Sequence, residues 1–230
     1  MVRAKPRVGA AIPKDHESLL GLAHYTFYRP LLDKDGKPTQ NFHVLKNYRQ
    51  HTKEGDLVLL KVPQVIIARK LRKGPGFVEN DAYLNPEIFA KQFYQPPLEI
   101  LGPCLNGSIF EQEYHPKNDR FPPAKIAQDL DQFFGKIPQD NRYHIELQTE
   151  AYWSGPVYEV LKKHGIGLVF FHWTWLPPLR KQFARVNKIF FNSGKQVVIR
   201  LMTPRRWATR NPMLRRSHLT KWSPACWTRK

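Results

Sequence analysis

Acidic residues stop at Glu159. Residues 160–230 hold 16 Lys or Arg and no Asp or Glu, while residues 1–159 hold 21 basic and 19 acidic residues. The formal net charge of +18 therefore divides into +2 for the first part and +16 for the second. Half of that excess lies beyond residue 204, so the body of the protein is only moderately basic. Cysteine is nearly absent: Cys104 and Cys226 make neither a disulfide framework nor a metal-ligand spacing. No apolar run approaches the roughly 18 residues of a membrane span. The opening Met-Val-Arg-Ala-Lys-Pro-Arg has no apolar stretch behind it and does not read as a secretory signal. A cytoplasmic, reducing compartment is the expectation. Also missing are Gly-x-Gly-x-x-Gly, Gly-x-x-x-x-Gly-Lys-Ser/Thr and any Ser-His-Asp or Cys-His constellation, which removes the common nucleotide-binding turns and nucleophile sets.

What is present is a device used three times. An apolar run breaks out into charged, histidine or tryptophan residues, and a turn or helix signal follows. The runs are Tyr-His-Ile-Glu-Leu-Gln-Thr-Glu (143–150), Gly-Leu-Val-Phe-Phe-His-Trp-Thr-Trp (167–175) and Gln-Val-Val-Ile-Arg-Leu-Met (196–202). Unbroken apolar runs mark buried parallel strands, and functional groups of α/β proteins sit past their carboxyl ends. Residues 57–62 read as another such strand, with shorter ones at 7–12, 24–28 and 107–111. Helices are expected over about 39–51 and from Asn85-Pro86, Pro122-Pro123, Ser154-Gly155-Pro156 and Pro177-Pro178. The Asn85-Pro86 helix should break near Pro96-Pro97, and residues 69–84 read as a basic loop. Ile189 to Leu201 is either a hairpin or a turn leading to one strand. The strand–helix rhythm from 57 to 202 implies βαβ units and a parallel sheet, with a barrel favoured over an open sheet.

Thr26-Phe27-Tyr28, Leu60-Lys61-Val62-Pro63, Gly107-Ser108-Ile109-Phe110-Glu111, Ile145-Glu146-Leu147-Gln148-Thr149, His172 through Leu179 and Val198-Ile199-Arg200-Leu201 occur in an order that resembles the YecE-like family, domain of unknown function 72 (DUF72). The resemblance implies a TIM-barrel-like parallel β/α barrel with no established activity. It divides the chain into a divergent segment 1–24, a barrel domain 25–206 and a basic tail 207–230. Residues 1–24 lack the Gly-Thr-Ser-Gly-like first strand of the family, so an incomplete or altered first strand is expected. An acidic residue tends to precede the Phe-Tyr pair in the family, but Leu22, Ala23, His24 and Tyr25 stand there. Gln148 occupies a position where Arg often follows. The tail matches nothing in the family. It is expected to be disordered, and is read either as the product of a frame shift near residue 206 or as a lineage-specific basic extension.

The candidate catalytic residues are Glu146, His172 and Lys61. Glu146 interrupts an apolar strand, where a buried carboxylate needs a partner or becomes an acid or base with a raised pKa. Lys61 ends another such strand, and His172 offers a proton carrier. Arg200 suits carboxylate or phosphate recognition, Trp173 and Trp175 offer stacking surface, and Glu111 lies near a strand end. The resemblance adds Tyr28 to this substrate-binding set. Each has a structural counterpart: ion pairing for Lys61, Glu146 and Arg200, and rim packing for His172 and the tryptophans. His144 shares a strand face with Glu146 and reads as a structural histidine; His115 carries no signal. No metal site is expected, and the sequence names no cofactor or oligomeric state. The expected partner is a small anionic or polar ligand at the strand carboxyl ends. Nucleic-acid binding through the basic C-terminal third and an inactive, degenerate family member are the alternatives.

Overall fold

Nine strands form one sheet in the computed structural model, which describes residues 7–11, 22–26, 30–53, 55–173, 176–201 and 225–229. In chain order the elements are β1 (Arg7–Ala11), β2 (Leu22–Thr26), α1 (Gln40–His51), β3 (Leu57–Lys61), α2 (Gln64–Ile67), β4 (Lys70–Lys73) and β5 (Gly76–Glu79). There follow α3 (Pro86–Phe89), α4 (Gln95–Leu101), β6 (Leu105–Gln112), α5 (Pro123–Phe134), β7 (Tyr143–Leu147) and α6 (Gly155–His164). The last are β8 (Gly167–Leu168), β9 (Phe170–Phe171), α7 (Leu179–Arg185), β10 (Val197–Leu201) and β11 (Ala225–Arg229).

The sheet runs β8-β7-β6-β3-β2-β1-β11-β10-β9, and every pairing is parallel except those of β11 with β1 and β10. The fold is α/β with a parallel central sheet. The two ends of the strand order are consecutive pieces of one segment, 167–171. Its first half pairs with β7 and its second with β10. The bonds continue on both sides, from Val169 N–H to the Ile145 carbonyl at 2.8 Å and from His172 N–H to the Arg200 carbonyl at 2.9 Å.

Apolar residues divide between two clusters. The larger lies between sheet and helices, where Phe89, Phe110, Phe133 and Tyr143 meet with ring centroids 5.3–5.9 Å apart. Edge-to-face contacts of this kind add to the burial of area. Helix α5 joins it through Ile126, Ala127, Leu130, Phe133 and Phe134, the spacing of one helical face. The smaller cluster holds Leu59, Ile109, Val169, Phe171, Leu176 and Val198, with Leu57 and Trp173 packed against it. Its strand members come from β3, β6, β9, β10 and the residue between β8 and β9, so it lies on the sheet face opposite the helices.

Several expectations are corrected. Residues 69–84 are not a loop. Gly74 (φ +60°) turns the chain, and β4 and β5 form an antiparallel hairpin with Leu71 opposite Val78. The helix after Asn85 does not end at Pro96-Pro97. Asn85 caps it as expected, accepting from the N–H groups of Glu87 and Ile88, but a π-helical turn at Ala90–Tyr94 follows. Helix α4 then begins with the two prolines in its first turn, where a missing N–H is tolerated. Of the two readings of Ile189 to Leu201, the turn leading to one strand is the one that forms, at Val197–Leu201. The short strand expected at 7–12 forms at Arg7–Ala11, and Ala225–Arg229 of the basic tail pair between β1 and β10. Among the described residues no helix is long and apolar enough to cross a membrane.

Candidate functional site

Side chains two apart on a strand point to the same face. In β3, β6 and β10 an apolar member of the smaller cluster is followed two residues later by a charge: Leu59 by Lys61, Ile109 by Glu111, Val198 by Arg200. In β7 the same step leads from His144 to Glu146. Glu111 and Glu146 stand directly opposite each other in register. The sheet thus carries four charges at the carboxyl ends of four strands, above an apolar layer on the same face.

The four converge. Lys61 Nζ lies 2.5 Å from Glu111 Oε1, and Arg200 Nη1 donates to Glu111 Oε2 at 3.2 Å and to Glu146 Oε2. Gln148 Nε2 donates to Glu146 Oε1 at 3.4 Å. Side-chain exposure falls from 16% at Glu111 and 13% at Lys61 to 6% at Arg200 and 1% at Glu146. Solvent therefore meets Lys61 and Glu111 first, and Glu146 lies deepest.

Their environments push the two carboxylates in opposite directions. Burial alone would raise the Glu111 pKa, but Lys61 and Arg200 together outweigh it and hold the group below the usual range. At Glu146 burial dominates and pushes the pKa up, with the charge of Glu111 adding to it against the opposing pull of Arg200. His144, on the same strand face, is fully buried with Nδ1 3.2 Å from the Arg142 carbonyl oxygen. Burial takes its pKa down to about 4, so it is neutral near pH 7 and fits the structural role expected of it.

Of the residues singled out in the sequence, Lys61, Glu146, Arg200 and Glu111 meet. His172 does not. It falls between Phe171 and Trp173, which pack in or against the inner cluster, and its own side chain is exposed. Its backbone N–H donates to the Arg200 carbonyl. Trp173 is half-buried, its ring centroid 6.5 Å from that of Phe171. Tyr28 and Trp175 lie outside the described residues. Glu111 also changes the electrostatics: it bridges both cations, so two carboxylates rather than one stand against them.

A second polar network was missed. His115 is buried, with Nδ1 2.8 Å from the Tyr152 hydroxyl and Nε2 3.3 Å from Glu113 Oε1, and its N–H donates to Thr149 Oγ1 at 2.8 Å. Glu113 Oε1 also accepts from the N–H of Arg69 at 3.0 Å. The alternation of Glu111, Glu113 and His115 was the available signal. Among the described residues no group of three or more His, Cys, Asp and Glu is arranged to hold a metal.

No family model and no curated protein matches the sequence. A solved structure of a DUF72 family protein (EF0366) from Enterococcus faecalis V583 does, at 14% identity and a TM-score of 0.39, over 71% of this chain and 60% of that one. The chain spans three fifths of that protein's length, and an overlap of this extent leaves the description of the fold to the strand pairings above. The chain is similar to a member of DUF72, the family that its motifs between residues 25 and 206 resemble.

Proposed function

We propose that the strands close into a TIM-barrel-like barrel whose strand carboxyl ends hold an acid–base site for a small anionic or polar substrate. One observation carries this reading: two carboxylates share one guanidinium nitrogen and have their pKa values pushed apart. Divergent pKa values of neighbouring carboxyl groups are how one site holds a proton donor beside a permanent anion. Glu146 is then the group that takes up and gives back the proton, and Glu111 the permanent anion. With Glu146 protonated, Lys61 and Arg200 exceed Glu111 by one positive charge, which favours an anionic group on the substrate. Lys61, the more exposed cation, meets that group first. Barrel closure is supported by segment 167–171, which bonds to β7 on one side and β10 on the other.

The full pairing of all four charges favours a second reading, a structural ion cluster inside the sheet. Buried pairs often serve structure without adding net stability. Thermal-shift and calorimetric titrations with inorganic phosphate, malonate and glucose separate the two. A functional site predicts that one anion raises the melting temperature and that Lys61→Met abolishes the rise. Glu146→Gln should keep that binding and, once a substrate is found, lose turnover. If no ligand shifts the melt and Glu146→Gln only destabilises, the cluster is structural.

A further inference from the structure

The β4–β5 hairpin stands apart from the main sheet as a sheet of two strands. It follows β3 and so leaves the body on the side where the β3 strand ends at Lys61. Its base is fixed. Asn80 Nδ2 donates to the carbonyls of Val65 (2.8 Å) and Ala68 (2.6 Å), and Asn80 N–H donates to that of Arg69 (2.8 Å). Arg69 Nη2 reaches Asp119 Oδ1 at 3.1 Å, and Lys70 Nζ lies 2.9 Å from each oxygen of the same carboxylate. Beyond the base none of the described residues covers it: residues 72–79 are all exposed, Phe77 at 70%.

The register gives this arm chemistry. Arg72 pairs with Phe77 and Lys70 with Glu79, so these four share one face. A guanidinium and an open aromatic ring therefore stand side by side. The Arg72 side chain reaches only the Gly74 carbonyl, at 3.4 Å, and Lys73 has no carboxylate partner among the described residues. Lys70 ties this face to the loop of residues 113–120, where Tyr114 is 47% exposed and Lys117 is exposed without a carboxylate partner among the described residues.

We propose that this arm, with the loop beneath it, binds a single-stranded nucleic acid, Phe77 stacking on a base with Arg72 on the phosphate beside it, and Lys73, on the other face next to the turn, holding a phosphate where the strand passes round the tip. Sequence-tolerant binding of single strands combines cations along the backbone with aromatic faces for the bases. A second copy of the chain is disfavoured, because the arm carries three cations against Glu79 and the whole chain is +18. A lipid surface fits poorly. Arg72 and Lys73 lie nearer the turn than Leu71 and Val78, so inserting the apolar pair would drag both cations into hydrocarbon. The proposal rests on the arm and not on the acid–base site.

The test is fluorescence anisotropy of a labelled oligothymidylate with the full chain across a salt series. Phe77→Ala should weaken binding roughly tenfold, the lower range for one lost stacking contact, with the salt slope unchanged. Phe77→Trp should restore it. Arg72→Ala with Lys73→Ala should lower the slope of log K against log salt by about 1.4, roughly 0.7 per lost phosphate contact. All variants should melt with the parent, because the arm lies outside the core. The proposal is overturned if the parent does not bind at low salt. It is equally overturned if the variants bind like the parent, which would place binding elsewhere on the basic chain. A loss with Phe77→Ala confined to phosphatidylserine vesicles would assign the arm to membranes instead.

Discussion

Replacing Arg200 by Met tests whether the guanidinium is the hub of the charged layer. Met fills much of the same volume, so little cavity is created and the change is mainly electrostatic. At 3.2 Å and an effective dielectric of about 20, the gross attraction to Glu111 is about 5 kcal/mol. Desolvation of the guanidinium opposes it, but that cost belongs to the intact protein; removing one partner leaves Glu146 buried without its cation. Breaking buried pairs in this way costs about 3–5 kcal/mol. For a chain of this size each kcal/mol moves the melting temperature by about 2–4 °C, so Arg200→Met should melt roughly 6–20 °C lower. Scanning calorimetry at neutral pH gives the number, and a cycle with Glu146→Gln apportions it. With Glu146 already neutral, the second change should cost clearly less than it does alone. A loss below about 1 kcal/mol for Arg200→Met, or strict additivity in the cycle, would refute the hub.

Two further outcomes are expected. Because the folded pKa of Glu146 is raised, the folded state binds the extra proton, and the stabilisation present below the unfolded value of about 4.3 is lost as pH rises through the folded value, at up to about 1.4 kcal/mol per pH unit. His144, depressed to about 4, works in the opposite sense, since its contribution is lost as pH falls toward that value. Glu111, held low, acts only below about 4.3. Subtracting the chemical-denaturation curve of Glu146→Gln from that of the parent at each pH cancels His144 and leaves the Glu146 slope; curves that stay parallel everywhere above about pH 4.3 would contradict the raised pKa. Gly107→Ala should abolish soluble expression or cost more than about 3 kcal/mol in urea. Gly107 has φ +148°, and an added Cβ would fall 2.3 Å from the Arg142 carbonyl oxygen, a clash with backbone that has no easy relief.

The strands at 57–61, 143–147 and 197–201 were legible because a strand covered on both faces is a continuous apolar run. The hairpin was not, since its ten residues are basic, glycine-containing and, at 72–79, exposed, the composition of a loop; only the pairing of Leu71 with Val78 across Gly74-Pro75 distinguishes it. Segment 167–171 read as one strand, and its division at Val169 reflects a change of partner from β7 to β10 that sequence does not encode locally.

The candidate site was legible in its residues and not in its geometry, for the same reason. Continuous apolarity hides the period of two, so a charge at the end of a buried strand gives no sign of which face it takes. Lys61, Glu111, Glu146 and Arg200 each stand two residues beyond a side chain already on the inner face, whereas His172 stands one residue beyond Phe171 and is turned outward. A shift of one position in the Phe-Phe-His-Trp run would have exchanged His172 with Trp173. Inter-strand register supplies the rest. Glu111 faces Glu146 because Ser108 pairs with Tyr143 three residues earlier. That pairing depends on Gly107, whose lack of a side chain lets the Arg142 carbonyl approach and accept from Ser108 N–H at 3.2 Å. The opposed carboxylates are therefore held in place from the other end of their strands, and the glycine that sets the register belongs to the site as much as the charges do.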